Sequence, residues 1–269
     1  MSDLKPPPRH LEYPDLAVPV RDWWARDYDH VFVVFNPFFT VPGHHPATSV
    51  FGPIEMDAAS ARDAMVQAQV LQAHPDMAPP DFPDTIKTTG QPVRWEAVRQ
   101  AIGAPDQETF ERTVWLWTLD VDRDDRDPQI SAALDRHCES MGLYSPEEDL
   151  LPAVMEPQLG RYLQALDLDK VTLWSEWRER ARSIPTETLL PSHPAQDIPG
   201  EKVSAVAASG LILTWAFDDV VGLLAVTDAL YQQAQPQDFL ECRPLHPDSY
   251  ADLFNPRDAF DRTPKARSQ

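Results

Sequence analysis

The chain has 269 residues, 42% of them hydrophobic and 25% charged, enough for a substantial buried core and against wholesale disorder. Its 23 basic residues stand against 43 acidic ones, a net charge of −20, so the sequence predicts no nucleic-acid backbone groove and no anionic membrane partner. A balance of this kind favours solubility or the attraction of a basic protein partner.

The first thirty residues form a predicted proline-rich N-terminal arm, 1–30, in which Trp23, Trp24 and Tyr28 provide apolar docking points. Its opening stretch, MSDLKPPPRHLEYPD, lacks the apolar run of a secretory leader, and a cytoplasmic location is expected. Val31 to Phe39 is then continuously apolar and rich in β-branched residues, which predicts a buried strand that Asn36–Pro37 stops. The VPGHHP segment after it is a turn.

Helical spacing fills the middle. Ala58, Ala61, Met65, Ala68 and Leu71 recur at intervals of three and four residues. Trp95 to Ile102 makes a short helix ended by Gly103, and Asp106 caps the next, whose buried face carries Phe110, Val114 and Trp117, widened by Trp115, Leu116 and Leu119. Asp127–Pro128 starts another helix with Ile130, Leu134, His137 and Met141 on one face and Gly142 at its end. Ser145 with Glu148 has the spacing of a capping box, and Leu159, Tyr162, Leu163 and Leu166 mark a further helix.

Beyond this the period shortens. Val171, Leu173 and the run from Val203 to Val226 read as strands, with turns at Gly210 and Asp218–Asp219. The uncharged part of that run, Val203 to Phe217, is 15 residues long, short of the ~20 a membrane helix needs. The fold class expected is therefore α+β: a single mixed domain over 31–254, with a helical middle, a strand-rich C-terminal half and a loose tail over 255–269.

No motif with a defined chemistry stands out. The acidic segment Asp120 to Asp127 lacks the glycine and the glutamate a calcium loop requires at its sixth and twelfth positions, where Asp125 and Ser131 stand. Asp218–Asp219 beside an aromatic suggests a Mg²⁺–diphosphate site, but Gly222 and Leu223 occupy the positions where a third carboxylate belongs. The histidines, His44–His45 included, have no zinc-site spacing, and Cys138 and Cys242 form no CxxC pair, so neither a metal, a cofactor nor a disulfide framework is expected. Cys138 reads as a small buried thiol. With 9 glycines against 28 prolines, a glycine-built phosphate cradle is not expected.

Four stretches, NPFFTVP, GQPVRWEAVRQAIG, LYSPEEDLLPA and LTWAFDDVVGLLAVTD, together resemble an uncharacterised bacterial family, domain of unknown function 2711, over about Val31 to Asp228. That resemblance implies no activity and no catalytic residues. The late Trp-x-Phe-Asp segment also looks like a feature of small acidic toxin-immunity proteins, a likeness of style.

Three functions follow as expectations. The first is a non-enzymatic acidic binding protein, of the toxin-neutralising type, that holds a basic protein partner on an aromatic patch rimmed by carboxylates: Trp174, Glu176, Trp215, Asp218 and Asp219. In LWSEWRER, Trp177 would share a face with Trp174 on a helix. The second is a hydrolase or transferase whose site is assembled from dispersed groups, Glu147, Glu148, Asp218 and His44, meeting in a pocket. The third is a structural subunit of a larger assembly, strapped by the arm.

Overall fold

A computed structural model describes residues 8–51 and 77–255 of the protein. The helix expected over Ala58 to Leu71 and the tail from 256 onward lie outside the described residues.

Strand β1 (His30–Phe35) explains why VFVVF has no polar side. Side chains alternate along a strand. Val31, Val33 and Phe35 therefore enter one core, and Phe32 and Val34 enter a second core on the opposite face. Pro37 lacks a ladder donor, and after Asn36–Pro37 the chain continues as the short β2 (Phe38–Thr40), paired with β3 (Gln91–Val93).

The other strands are β4 (Lys170–Trp174), β5 (Ala181–Pro185), β6 (Ala205–Ala208), β7 (Leu211–Thr214), β8 (Val221–Val226) and β9 (Cys242–Pro244). With β1 they form a seven-stranded sheet in the order β5-β4-β6-β7-β8-β1-β9. Every pairing in it is antiparallel. The N-terminal strand thus lies between two C-terminal ones, with Val31 opposite Ala225 and Phe32 opposite Pro244. Gly210, at φ +78°, turns β6 into β7; a Cβ there would sit 2.9 Å from the Thr227 hydroxyl.

Helices cover both faces. Of the first five helices, α1 (Val20–Trp24), α3 (Trp95–Ile102), α4 (Gln107–Thr118) and α5 (Pro128–Met141) pack on the Val31 face, and α2 (Phe82–Thr89) packs apart from it. Val20, Trp24, Val98, Val114 and Leu134 reach that core, whereas Phe82 and Ile86 of α2 join a smaller cluster with Phe39, Tyr144 and Val154. The opposite face takes α6 (Glu156–Ala165) through Leu159, Tyr162 and Leu163, with α7 (Asp228–Gln233) at its edge. The fold is α+β, a single mixed domain with a helical middle and a strand-rich C-terminal half.

The caps follow the sequence. Asp106 accepts the Thr109 amide at 2.6 Å, and Asp127 accepts those of Gln129 and Ile130 at 2.8 and 3.0 Å. Each such cap contributes about 1 kcal/mol. Gly103 and Gly142 end α3 and α5 in the left-handed conformation.

Three local expectations need correction. Ser145 and Glu148 form no capping box, because the backbone from Tyr144 to Leu151 is committed elsewhere: Tyr144 bridges Phe39, Asp149 pairs with Asp219, and the Leu151 amide donates to the Val203 carbonyl. The helix begins only at Glu156, after Pro146 and Pro152. On α5 the buried stripe is Ile130, Leu134 and Cys138, while Met141 is 60% exposed. LWSEWRER is not helical; Trp174 ends β4 and the residues after it turn into β5.

Candidate functional site

The antiparallel register gathers the ends of six strands. At one end of the sheet β1 runs out into Asn36, β4 into Ser175 and β7 into Trp215, while β6 is entered from Ser204, β8 from Val220 and β9 from Glu241. Several buried or strongly shifted polar groups, Asn36, Arg178 and Asp219 among them, lie at this end.

Asn36 is its hub and is fully buried. Its side-chain amide donates to the Glu147 carbonyl at 2.6 Å and accepts the Trp215 indole N–H at 2.8 Å; its own carbonyl accepts the Trp95 indole N–H at 2.7 Å. Trp215 fits because position 222 is glycine: a Cβ there would lie 3.0 Å from the indole nitrogen.

Beside the hub, two loops interlock. The Asp149 amide donates to the Asp219 carbonyl at 3.0 Å, and Asp149 Oδ1 accepts the Asp219 amide at 3.3 Å. Asp149 Oδ2 is 3.1 Å from Lys202 Nζ. The Asp219 carboxylate accepts the Tyr13 hydroxyl at 3.1 Å, which ties the N-terminal segment to this end of the sheet. A second tie comes from Arg178, a buried arginine that donates to the Leu11 carbonyl at 3.0 Å and to the Thr214 hydroxyl at 2.6 Å. Burial lowers its pKa to about 10.

Burial pushes Asp219 up to about 8, and the charges of Asp149, Asp218 and Asp252 add to the shift against the Tyr13 hydrogen bond. A carboxyl with a raised folded pKa stabilises fully only below its unfolded value near 3.8 and loses that contribution as pH rises toward 8. The contribution of this one group therefore falls away between about pH 4 and pH 8. D219N removes part of that slope and melts several degrees above the wild type at pH 8, with little difference at pH 5, on the usual scale of about 2–4 °C per kcal/mol. Melting curves at the two pH values check this; equal slopes for both proteins would refute the assignment.

The five residues singled out for binding occupy different environments. Trp215 is 1% exposed and belongs to the core. Trp174 is half-buried against the first core. Asp219 is tied to Tyr13, whereas Glu176 is half-buried and Asp218 is exposed on the β7–β8 turn, in a left-handed conformation at φ +60°. Burial and the neighbouring Asp149 raise the Asp218 pKa, with Lys202 opposing. The aromatics that do reach the surface at this end are Trp177, 73% exposed, and Phe217, 68% exposed. Phe217 was concealed by its neighbours: the segment WAFDD shows its aromatics and acids together, and only the strand register says which face inward.

A cleft of about 400 Å³ opens next to the same loops. Its lining includes Phe51, Asp84, Glu147, Leu151, Glu156 and Lys202. Glu147 is pushed up to about 7, first by burial and then by the charge of Glu156, against the Ala153 amide and Lys202. Burial also raises Glu156, to about 7, although Lys87 Nζ lies 2.8 Å away and pulls it down. Of Glu147, Glu148, Asp218 and His44, Glu147 lines this cleft. His44 instead contacts the Ser49 hydroxyl at 3.0 Å and packs its ring on Phe82. Among the described residues no three His, Cys, Asp or Glu side chains converge on a metal position, and no helix is long and apolar enough to cross a membrane. The Cys138 thiol is raised to about 12 by burial and Asp135, which makes it a poor nucleophile.

The model of the protein family of unknown function DUF2711 matches residues 17–242. The chain belongs to the DUF2711 family. Its matched span includes Asn36, Glu147, Trp177, Asp218 and Asp219, so the hub, the cleft carboxylate and the exposed turns all lie within DUF2711 sequence, while Tyr13 precedes it. No curated protein and no solved structure matches the chain significantly.

Proposed function

We propose that this DUF2711 protein is a non-enzymatic acidic binding protein, of the toxin-neutralising type, that engages a basic protein partner through the end of its sheet. The observation that carries the reading is the pair of exposed aromatics, Trp177 on the β4–β5 turn and Phe217 on the β7–β8 turn. Their strands are two places apart in the sheet, a separation of about 10 Å at the usual strand spacing. Large exposed aromatics beside carboxylates are what interface anchors require, and Glu176 and Asp218 stand next to them in sequence. The net charge of −20 supplies long-range attraction for a basic partner and speeds encounter. In this arrangement Trp215 and Asp219 hold the turn in place, and Phe217 and Asp218 make contact.

The test is a paired capture from the protein's own host at low and high salt, using the wild type and W177S/F217S. Both side chains are mostly exposed, so the double variant melts within about 1 °C of the wild type. Expected is one stoichiometric basic protein, weakened by salt and lost from the variant. A partner retained by W177S/F217S would place the interface elsewhere and overturn the reading.

A further inference from the structure

The cleft beside Glu147 is separate from the exposed turns, and its charges do not balance. Lys87 is consumed by Glu156 at 2.8 Å and by the carbonyls of Thr188 and Pro194 at 2.7 Å each. Lys202 is held by Asp149. At the mouth Asp197 faces Arg182 at 3.1 Å, and Glu201 faces Arg180 at 3.7 Å. Once these pairs are assigned, Glu147, Asp81 and Asp84 line the cleft with no cation within salt-bridge distance among the described residues.

Glu147 differs from the two aspartates. One of its carboxyl oxygens accepts the Ala153 amide; Oε2 is buried and has no hydrogen-bond partner. A buried acceptor without a donor is costly, and such groups are ordinarily satisfied. Phe51, Leu150, Leu151, Ala153 and Val203 give the cleft an apolar wall, and Gln196, the uncharged polar side chain in the lining, spends its amide on the Thr188 and Pro194 carbonyls. A pocket that joins an unmet acceptor to an apolar wall is complementary to a molecule with a cationic, hydrogen-bonding head and a short carbon chain.

We infer that this cleft binds a small organic cation, an alkylamine or alkylguanidinium, with its head on Glu147 and its chain along Leu150, Leu151 and Phe51. Asp81 and Asp84 draw the cation in, and Glu147 supplies the directional contact. Ala195 closes one side of the cleft. None of these residues belongs to the proposed docking turns, so either proposal can fail without the other.

The experiment is a ligand titration of the full chain followed by NMR, with n-butylamine and butylguanidinium as probes and n-butanol and butyrate as neutral and anionic controls. Expected is saturable binding of both cations and of neither control. E147Q keeps an acceptor for the Ala153 amide and weakens the cations at least tenfold. A195F fills the cleft without altering charge and abolishes binding, which locates the site independently should E147Q fold poorly. Absence of saturable binding by either cation would overturn the inference, as would binding of butyrate equal to that of butylamine. So would cation binding that survives A195F unchanged, since that is the behaviour of a diffuse acidic surface.

Discussion

K87M is expected to destabilise the protein by about 3–5 kcal/mol at pH 8 and by much less at pH 5. Lys87 and Glu156 have side chains 0% and 2% exposed, and their ion pair joins α2 to the start of α6. Methionine fills the same volume but leaves the Glu156 carboxylate in the interior without its cation. At pH 8 the fold must then hold a bare charge or take up a proton far above the ordinary carboxyl range, and either route is costly. At pH 5 protonation is nearly free, because the unfolded chain binds protons almost as readily there. The sign follows from linkage: a folded pKa raised further by the substitution lowers stability progressively as pH increases above about 4.5. The Thr188 and Pro194 carbonyls also lose their ammonium donor, although Gln196 Nε2, at 3.0 and 2.9 Å from them, keeps both partnered. The charge, not the carbonyls, therefore sets the size of the effect. Urea denaturation at the two pH values measures it, and a loss independent of pH would show that packing alone is responsible.

Asn36→Ala is the second large effect, expected at about 3–4 kcal/mol, or roughly 8–12 °C in melting temperature. It orphans two buried groups at once, the Trp215 indole N–H and the Glu147 carbonyl, and leaves a small void where the amide was. The backbone contacts of residue 36 to Val220 and to the Trp95 indole survive the change, so the strand should still form. Trp215 fluorescence gives a direct reading: its emission shifts as the indole loses its acceptor. N36D makes a finer probe, since it restores the acceptor for Trp215 but supplies no donor to Glu147. Its buried carboxyl raises the cost at pH 8 above that at pH 5. A variant as stable as the wild type would mean that Asn36 merely fills space.

Elements governed by local chemistry were legible from the sequence. Asp106, Asp127, Gly103 and Gly142 bound their helices as capping and left-handed preferences require, because those preferences act within a few residues. The strands β1, β4, β6, β7 and β8 also emerged from apolar runs, whereas β3, β5 and β9, with mostly exposed or half-exposed side chains, carry no such signal. What remained hidden depends on pairings made far along the chain. Asn36 reads locally as a strand stop, yet its partners lie near residues 147 and 215. The start signal at Ser145 is locally sound and is overridden by contacts with Phe39, Asp219 and Val203. The candidate site shows the same division. Aspartates at a turn and tryptophans near strand ends can be named from sequence, but the inward face of Trp215 and the outward face of Trp177 are set by register. Lys87 and Glu156 have no shared signal at all, being 69 positions apart with no motif between them.

The place of β1 in the sheet bears on how the protein emerges from a ribosome. Val31 must find Ala225, about 190 residues later in synthesis. At roughly 5–20 residues per second, the strand waits about 10–40 s for its first neighbour to be made. Throughout that interval VFVVF is a short, β-prone, uncharged segment of the kind that self-associates in unfinished chains. Asp27, Asp29 and His30 immediately before it, and Asn36–Pro37 after it, flank the segment with charge and a strand breaker. These flanks act as gatekeepers for a nascent chain whose sheet cannot close until nearly all of it exists.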